Sequence, residues 1–161
     1  MKVTFGHGIP DRTTRGKVVM KLQKTVVVDK PIETVFDYLS DFTTTTQWDP
    51  GTVSTVRQAG DGGVGTTYRN TSEFMGRKTE LNYVVQELIP AHRISLRGEN
   101  KTVISVDTMS FRRVEAGTEV TYAAEFTFKG AARFVAPLFK PALEKLGQQA
   151  ETGLRKALNQ L

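Results

Sequence analysis

The order of local patterns along this chain constrains its fold more than any single residue does. A strand pattern precedes a short Pro-initiated helix pattern, Pro31-Ile32-Glu33-Thr34-Val35-Phe36-Asp37-Tyr38-Leu39-Ser40-Asp41-Phe42. Trp48-Asp49-Pro50-Gly51 then forms a turn cluster. A series of strand patterns follows, and one long amphipathic helix pattern closes the chain. Consecutive strands joined by short turns, with no helices between them, imply an antiparallel sheet. One long helix is left to cover the sheet's apolar face. A sheet gripping a helix tends to leave a cavity between them, so the order points to binding of an apolar small molecule.

The first strand reads from residue 18 to residue 28, ending in Thr25-Val26-Val27-Val28. Pro31 marks a helix start, and Ile32, Val35, Phe36 and Leu39 recur on one face. The run Thr43-Thr44-Thr45-Thr46 disfavours continuing that helix. Further strands are expected over residues 53–57, 66–74, 79–88, 93–97, 103–113 and 118–128. Gly60-Asp61-Gly62-Gly63, Gly76, Pro90 and Glu115-Ala116-Gly117 supply turns. Leu138, Ala142, Leu146, Ala150, Leu154, Ala157 and Leu161 trace an apolar stripe, flanked by Phe139, Leu143 and Leu158. Pro137 and Pro141 disfavour helix just before them. A short separate segment near residues 133–139 should therefore precede a main helix starting near Pro141.

Alternation identifies the buried face. Val120, Tyr122, Ala124, Phe126 and Phe128 share one side of the last strand, with Glu119, Thr121 and Glu125 on the other. Leu81, Tyr83 and Val85 alternate in the same way, interrupted by Val84. One face should be apolar and the other wet.

With 161 residues, 39% of them apolar and 24% charged, the chain fits one globular domain with a substantial core. It has no cysteine, so disulfides, thiolate metal sites and thiol catalysis are excluded. No run approaches the length of a transmembrane helix, and charged residues interrupt the N-terminal region where a secretory signal would need an apolar stretch. We therefore expect a cytoplasmic protein without stable membrane insertion. The net charge of +5 resides in residues 1–30, where seven Lys/Arg face two acids; the remaining chain balances fifteen against fifteen. That distribution fits a solvated basic leader over residues 1–17, ahead of a single domain over 18–161, and no nucleic-acid partner is expected. Met20 is an alternative start. A homodimer is left open.

Candidate chemistry is sparse. No metal or nucleophile motif is present and no cofactor is expected. The two histidines fall in the leader (His7) and in a turn (His92), where solvated roles suffice. The glycine-rich stretch after Gly60 joins two strands instead of opening a helix, so a hairpin turn explains it better than a phosphate cradle. Asp107 shares parity with Met109 and Phe111, and a carboxylate on that side would have a raised pKa. Ile104 and Val106 lie on the opposite parity, however, so Asp107 is assigned to the wet face, as are Arg69 and Arg97. Trp48 is read equally well as a lid or as a plug anchoring its loop.

Several of these segments carry a resemblance. They are the Pro31–Phe42 run, Trp48-Asp49-Pro50, Gly65-Thr66-Thr67-Tyr68, Tyr83 with Glu87, Pro90 and Arg93, and Phe111 with Gly117-Thr118-Glu119-Val120-Thr121. In order and spacing they resemble the SRPBCC superfamily, which includes polyketide cyclase/dehydrase-like proteins, START lipid-transfer domains and the birch pollen allergen type. The resemblance covers Val26 to Leu161. It implies an α+β helix-grip fold, with a curved antiparallel seven-stranded sheet, two short helices after the first strand and a long C-terminal helix. It also implies a cavity for apolar ligands.

Combined with the alternation, this singles out Tyr68, Asn70, Phe74, Leu81, Tyr83, Phe111, Tyr122, Phe126, Leu143, Leu146 and Ala150 as ligand-binding residues. The primary expectation is a carrier or sequestering protein for a hydrophobic small molecule. A polyketide cyclase or dehydratase using cavity tyrosines is the first alternative, although no acid–base pair is evident. An interaction protein using its basic leader at an anionic membrane or protein partner is the second.

Overall fold

In the computed structural model, which describes residues 17–161, seven strands form one antiparallel sheet. They are β1 (Val18–Val28), β2 (Thr52–Ala59), β3 (Thr67–Phe74), β4 (Arg77–Ile89), β5 (Arg93–Glu99), β6 (Val103–Val114) and β7 (Gly117–Phe128). Their spatial order is β1-β7-β6-β5-β4-β3-β2. From β2 to β7 each strand pairs with its neighbour in sequence, as short turns require. β1 instead pairs with β7, from Val18 opposite Phe128 to Val28 opposite Thr118. Register shifts in the β2–β3 and β4–β5 pairs mark bulges, which bend a sheet locally. The basic leader inferred for residues 1–17 lies outside the described residues, apart from Lys17.

Two short helices follow β1, namely α1 (Ile32–Ser40) and α2 (Thr45–Trp48), separated by a 3-10 turn at Phe42–Thr44. The threonine run does stop α1, but it does not stay extended. The Asp41 carboxylate accepts from the Thr43 backbone N–H at 3.0 Å and from its hydroxyl at 2.7 Å, which caps a new turn. After β7 come α3 (Ala132–Val135), a 3-10 turn at Ala136–Phe139 and the long helix α4 (Lys140–Asn159). The prolines at 137 and 141 thus divide this region as their chemistry dictates.

α4 buries the face carrying Gly147, Ala150, Leu154 and Leu158. Two glycines allow its close approach. A Cβ on Gly153 would lie 2.0 Å from the Trp48 carbonyl oxygen, and one on Gly147 would lie 2.3 Å from a Leu22 methyl. At the opposite end α1 covers the sheet, and Phe36 meets Phe111 edge-on with ring centroids 5.1 Å apart. Phe42 then packs on Tyr68 at 5.5 Å and on Tyr83 at 4.9 Å. These rings fill the α1 end of the concave face. At the end nearest α3, Phe139 meets Phe74 edge-on at 5.7 Å and Phe128 at 6.1 Å, and these rings line a cavity instead of filling it.

Candidate functional site

A cavity of about 690 Å³ lies between the concave face of the sheet and α4. Its wall is largely apolar. β7 contributes Tyr122, Phe126 and Phe128; α4 contributes Leu143, Leu146 and Ala150; β3 and β4 contribute Phe74, Leu81 and Tyr83. The phenylalanines among the described residues therefore do not close it. Met75, Val135 and Leu138 line the cavity and are also exposed, so they mark its mouth. Met75 stands in the two-residue turn between β3 and β4, where both it and Gly76 have positive φ. That backbone matches the right-handed twist of a hairpin.

Nine of the eleven residues singled out from sequence line this cavity. Tyr68 and Phe111 do not. Both point to the concave face, as their parity requires, but they sit at the end that Phe42 and Phe36 occupy. Tyr68 is completely buried, and no protein group pairs with its hydroxyl. Asn70 lines the cavity with its amide already engaged. Its Nδ2 donates to Thr55 Oγ1 at 2.8 Å and to Thr52 Oγ1 at 3.3 Å, and its Oδ1 accepts from Ser72 at 2.7 Å. This ties the side chains of β2 to those of β3. Trp48 is a plug: it is 3% exposed, meets Tyr122 edge-on and backs onto Gly153. Arg69 is exposed and Arg97 pairs with Glu99, as their wet-face assignment anticipates.

Asp107 contradicts its assignment to the wet face. It is 6% exposed and lines the cavity together with Tyr83 and Tyr122. Along β6 the odd positions Val103, Ser105, Asp107, Met109 and Phe111 are all buried. Ile104 and Val106 misled because they face outward. The convex side of this sheet carries exposed Val19, Val27, Val56 and Val84, residues suited to a strand whether or not they are buried.

A row of paired residues crosses the middle of the sheet at this point. Tyr83 lies opposite Gly98, Gly98 opposite Ser105, and Ser105 opposite Phe126. A Cβ on Gly98 would lie 2.6 Å from the Tyr83 ring at its hydroxyl end. The ring therefore lies over the glycine, and its hydroxyl reaches Ser105 and Asp107 on β6. From the other side the Tyr122 hydroxyl donates to Asp107 Oδ1 at 3.0 Å. Gly98→Ala should push Tyr83 away from Asp107 and into the cavity. The check is displacement of a bound fluorescent apolar probe, whose affinity should fall about tenfold while the fold survives.

The electrostatics follow from burial. Loss of water raises the Asp107 carboxyl to about 6, although hydrogen bonds from Tyr83 and Tyr122 oppose the rise and the nearby Asp49 carboxylate adds to it. Burial also lifts the Tyr83 and Tyr122 hydroxyls well above their ordinary value, with the Asp107 charge adding to it. Asp49, at the cavity wall, is raised by burial and partly offset by the Gly51 N–H and the Thr52 hydroxyl, both at 3.0 Å. The floor of the cavity thus carries a carboxyl that can gain or lose a proton near neutral pH, between two phenols that remain donors. Sequence reasoning had no signal for Asp49, since its turn position explained it fully. Among the described residues no group of His, Asp and Glu is placed to hold a metal ion, and no helix is long and apolar enough to cross a membrane.

Comparison with solved structures gives the same architecture. The Zhui aromatase/cyclase from Streptomyces sp. R1128 is 15% identical with a TM-score of 0.74, over 87% of this chain and 93% of that one. TTHA0849 from Thermus thermophilus is 16% identical with a TM-score of 0.71, over 84% of this chain and 94% of that one. Ara h 8.0201 is 15% identical with a TM-score of 0.58, over 85% and 98%. At these identities the likeness concerns the fold alone. No curated protein sequence matches the chain. A family described as polyketide cyclase/dehydrase and lipid transport matches residues 19–159. With nearly the whole described fold inside that match, the chain belongs to the polyketide cyclase/dehydrase and lipid transport family of the SRPBCC superfamily.

Proposed function

We propose that this protein binds an apolar or amphipathic small molecule, of lipid-like or polyketide-like character, as a carrier or sequestering protein. The observation that carries this reading is the cavity itself. Its volume of about 690 Å³ falls within the roughly 300–1,000 Å³ of small-molecule sites. Its walls offer burial to an apolar body, and a polar cluster of Asp107, Tyr83 and Tyr122 is set into them. Burial supplies affinity in such a site, and the polar cluster fixes orientation.

The test begins with the native mass of freshly purified protein, which should exceed its denatured mass by a discrete ligand. A fluorescent apolar probe should bind the emptied protein, and Leu146→Trp should reduce that binding at least about tenfold by filling the space. Equal binding by Leu146→Trp would place the probe elsewhere and sink the reading.

A second reading is favoured by Asp107. In a cyclase or dehydratase the carboxylate would take a proton beside a ligand carbonyl while a tyrosine hydroxyl donates to the oxygen. Under that reading turnover of a polyketide-like substrate rises as the pH passes about 6, where Asp107 loses its proton. Tyr83→Phe and Tyr122→Phe would then lose turnover, whereas a carrier would lose little affinity.

A further inference from the structure

The mouth of the cavity has an unusual surface. Phe134 is 72% exposed, Leu138 75% and Met75 61%, with Val135 beside them at 44%. Phe134 and Leu138 stand four residues apart across α3 and the 3-10 turn, a spacing that brings side chains toward one side. Scattered apolar side chains on a surface are ordinary. Four of them around the opening of an apolar cavity make a continuous apolar surface from outside to inside.

Along the α3 segment itself the charge has one sign. Between Phe128 and Ala142 the chain carries Lys129, Arg133 and Lys140 and no acidic residue. Lys129 bonds to Glu99 at 2.8 Å, and the Arg133 guanidinium stacks over the Phe134 ring at 4.6 Å. Arg77, from the far side of the mouth, also lines the opening. Two occupants fit this poorly. A second copy joined rim to rim would oppose like charges across a two-fold axis. Residues 1–16 carry Lys2, Arg12 and Arg15 against Asp11 alone, the same sign as the rim.

We infer that the α3 rim of the cavity mouth docks on an anionic bilayer surface, with Phe134 and Leu138 inserted among the lipids and the basic residues against the head groups. Exposed apolar side chains flanked by cations are what a peripheral contact with such a surface requires. A bilayer also demands no shape complement from two projecting side chains, whereas a protein partner would need a matching recess. In this geometry an apolar ligand passes between lipid and cavity without crossing water. The docking itself does not depend on which ligand the cavity holds.

The test is co-sedimentation of the full chain with vesicles of phosphatidylcholine, with and without phosphatidylserine. Binding should require phosphatidylserine and weaken as NaCl rises from about 0.1 M to about 0.5 M. Phe134→Glu should lower the affinity about tenfold or more. Val53→Glu, an equal charge change at an exposed position on β2, should lower it far less. Phe134 is outside the cavity wall, so affinity for the apolar probe in the absence of vesicles should be unchanged in Phe134→Glu. That separates failure of docking from failure of the cavity reading. Absence of binding to both vesicles overturns the inference and leaves the rim to an acidic protein partner. Equal losses in the two variants, or full retention in Phe134→Glu, also overturn it. So does a native dimer mass that reverts to monomer in Phe134→Glu.

Discussion

Near pH 8, Asp107→Asn should be more stable than the parent protein by up to about 3 kcal/mol, and near pH 4 the two should melt together. The sign follows from where the proton is held. Burial raises Asp107 from 3.8 to about 6 in the folded protein, whereas the unfolded chain keeps the ordinary carboxyl value. Between these values the folded state binds a proton that the unfolded state has released. Stability must then fall as pH rises through this window, and the loss is complete above the folded value. Two pKa units correspond to about 3 kcal/mol. This is an upper figure, because asparagine accepts fewer of the hydrogen bonds offered by Tyr122, Tyr83 and Ser105. Urea melts at three pH values check it. A stability difference that stays flat across pH would show that Asp107 does not titrate in a buried setting. The same substitution should impair whatever the cavity does, since a buried carboxylate without a cationic partner is costly to keep.

Gly153→Ala should destabilise the fold by about 2–3 kcal/mol, although alanine is the better helix former by about 1 kcal/mol. The added methyl would lie 2.0 Å from the Trp48 carbonyl oxygen and 3.0 Å from its carbonyl carbon. These are backbone atoms, and a rotamer change cannot move them. Either α4 lifts from the sheet or the turn after α2 shifts, and both disturb the cavity floor at Asp49 and Tyr122. Gly147→Ala is the control on the same helix face. The atoms nearest its methyl all belong to the Leu22 side chain, which borders the cavity and can rotate into it. There the helix-propensity gain should offset most of the cost. Thermal melts of the two variants decide this, and equal effects would refute the distinction between backbone and side-chain contact.

The strands were legible because alternation and turn chemistry agree along this chain. β1 has the bounds read from sequence, and the other strands differ by one or two residues at their ends. The break before α4 was legible because Pro137 and Pro141 leave little choice. The site was read less completely, for two physical reasons. Parity tells which face of a strand is covered, but not what covers it. Tyr68 and Phe111 therefore looked equivalent to Tyr83 and Tyr122 until α1 and Phe42 were seen to fill their end of the sheet. On β6 the outward valine and isoleucine concealed the parity of Asp107, because β-branched residues suit strands on either face. The candidate acid–base group that the sequence reading set on the wet face was thus hidden by a strand propensity and not by any unusual geometry.

The pairing of β1 with β7 has a consequence for how this chain is made. Val18 must wait for Phe128, about a hundred residues later in synthesis, and α4 follows every strand. Until α4 leaves the ribosome, the part of the concave face beyond α1, with Leu81, Tyr122 and Phe126, lacks its helical cover. Apolar surface is therefore exposed over most of the chain's synthesis, and the domain closes only when its last helix arrives.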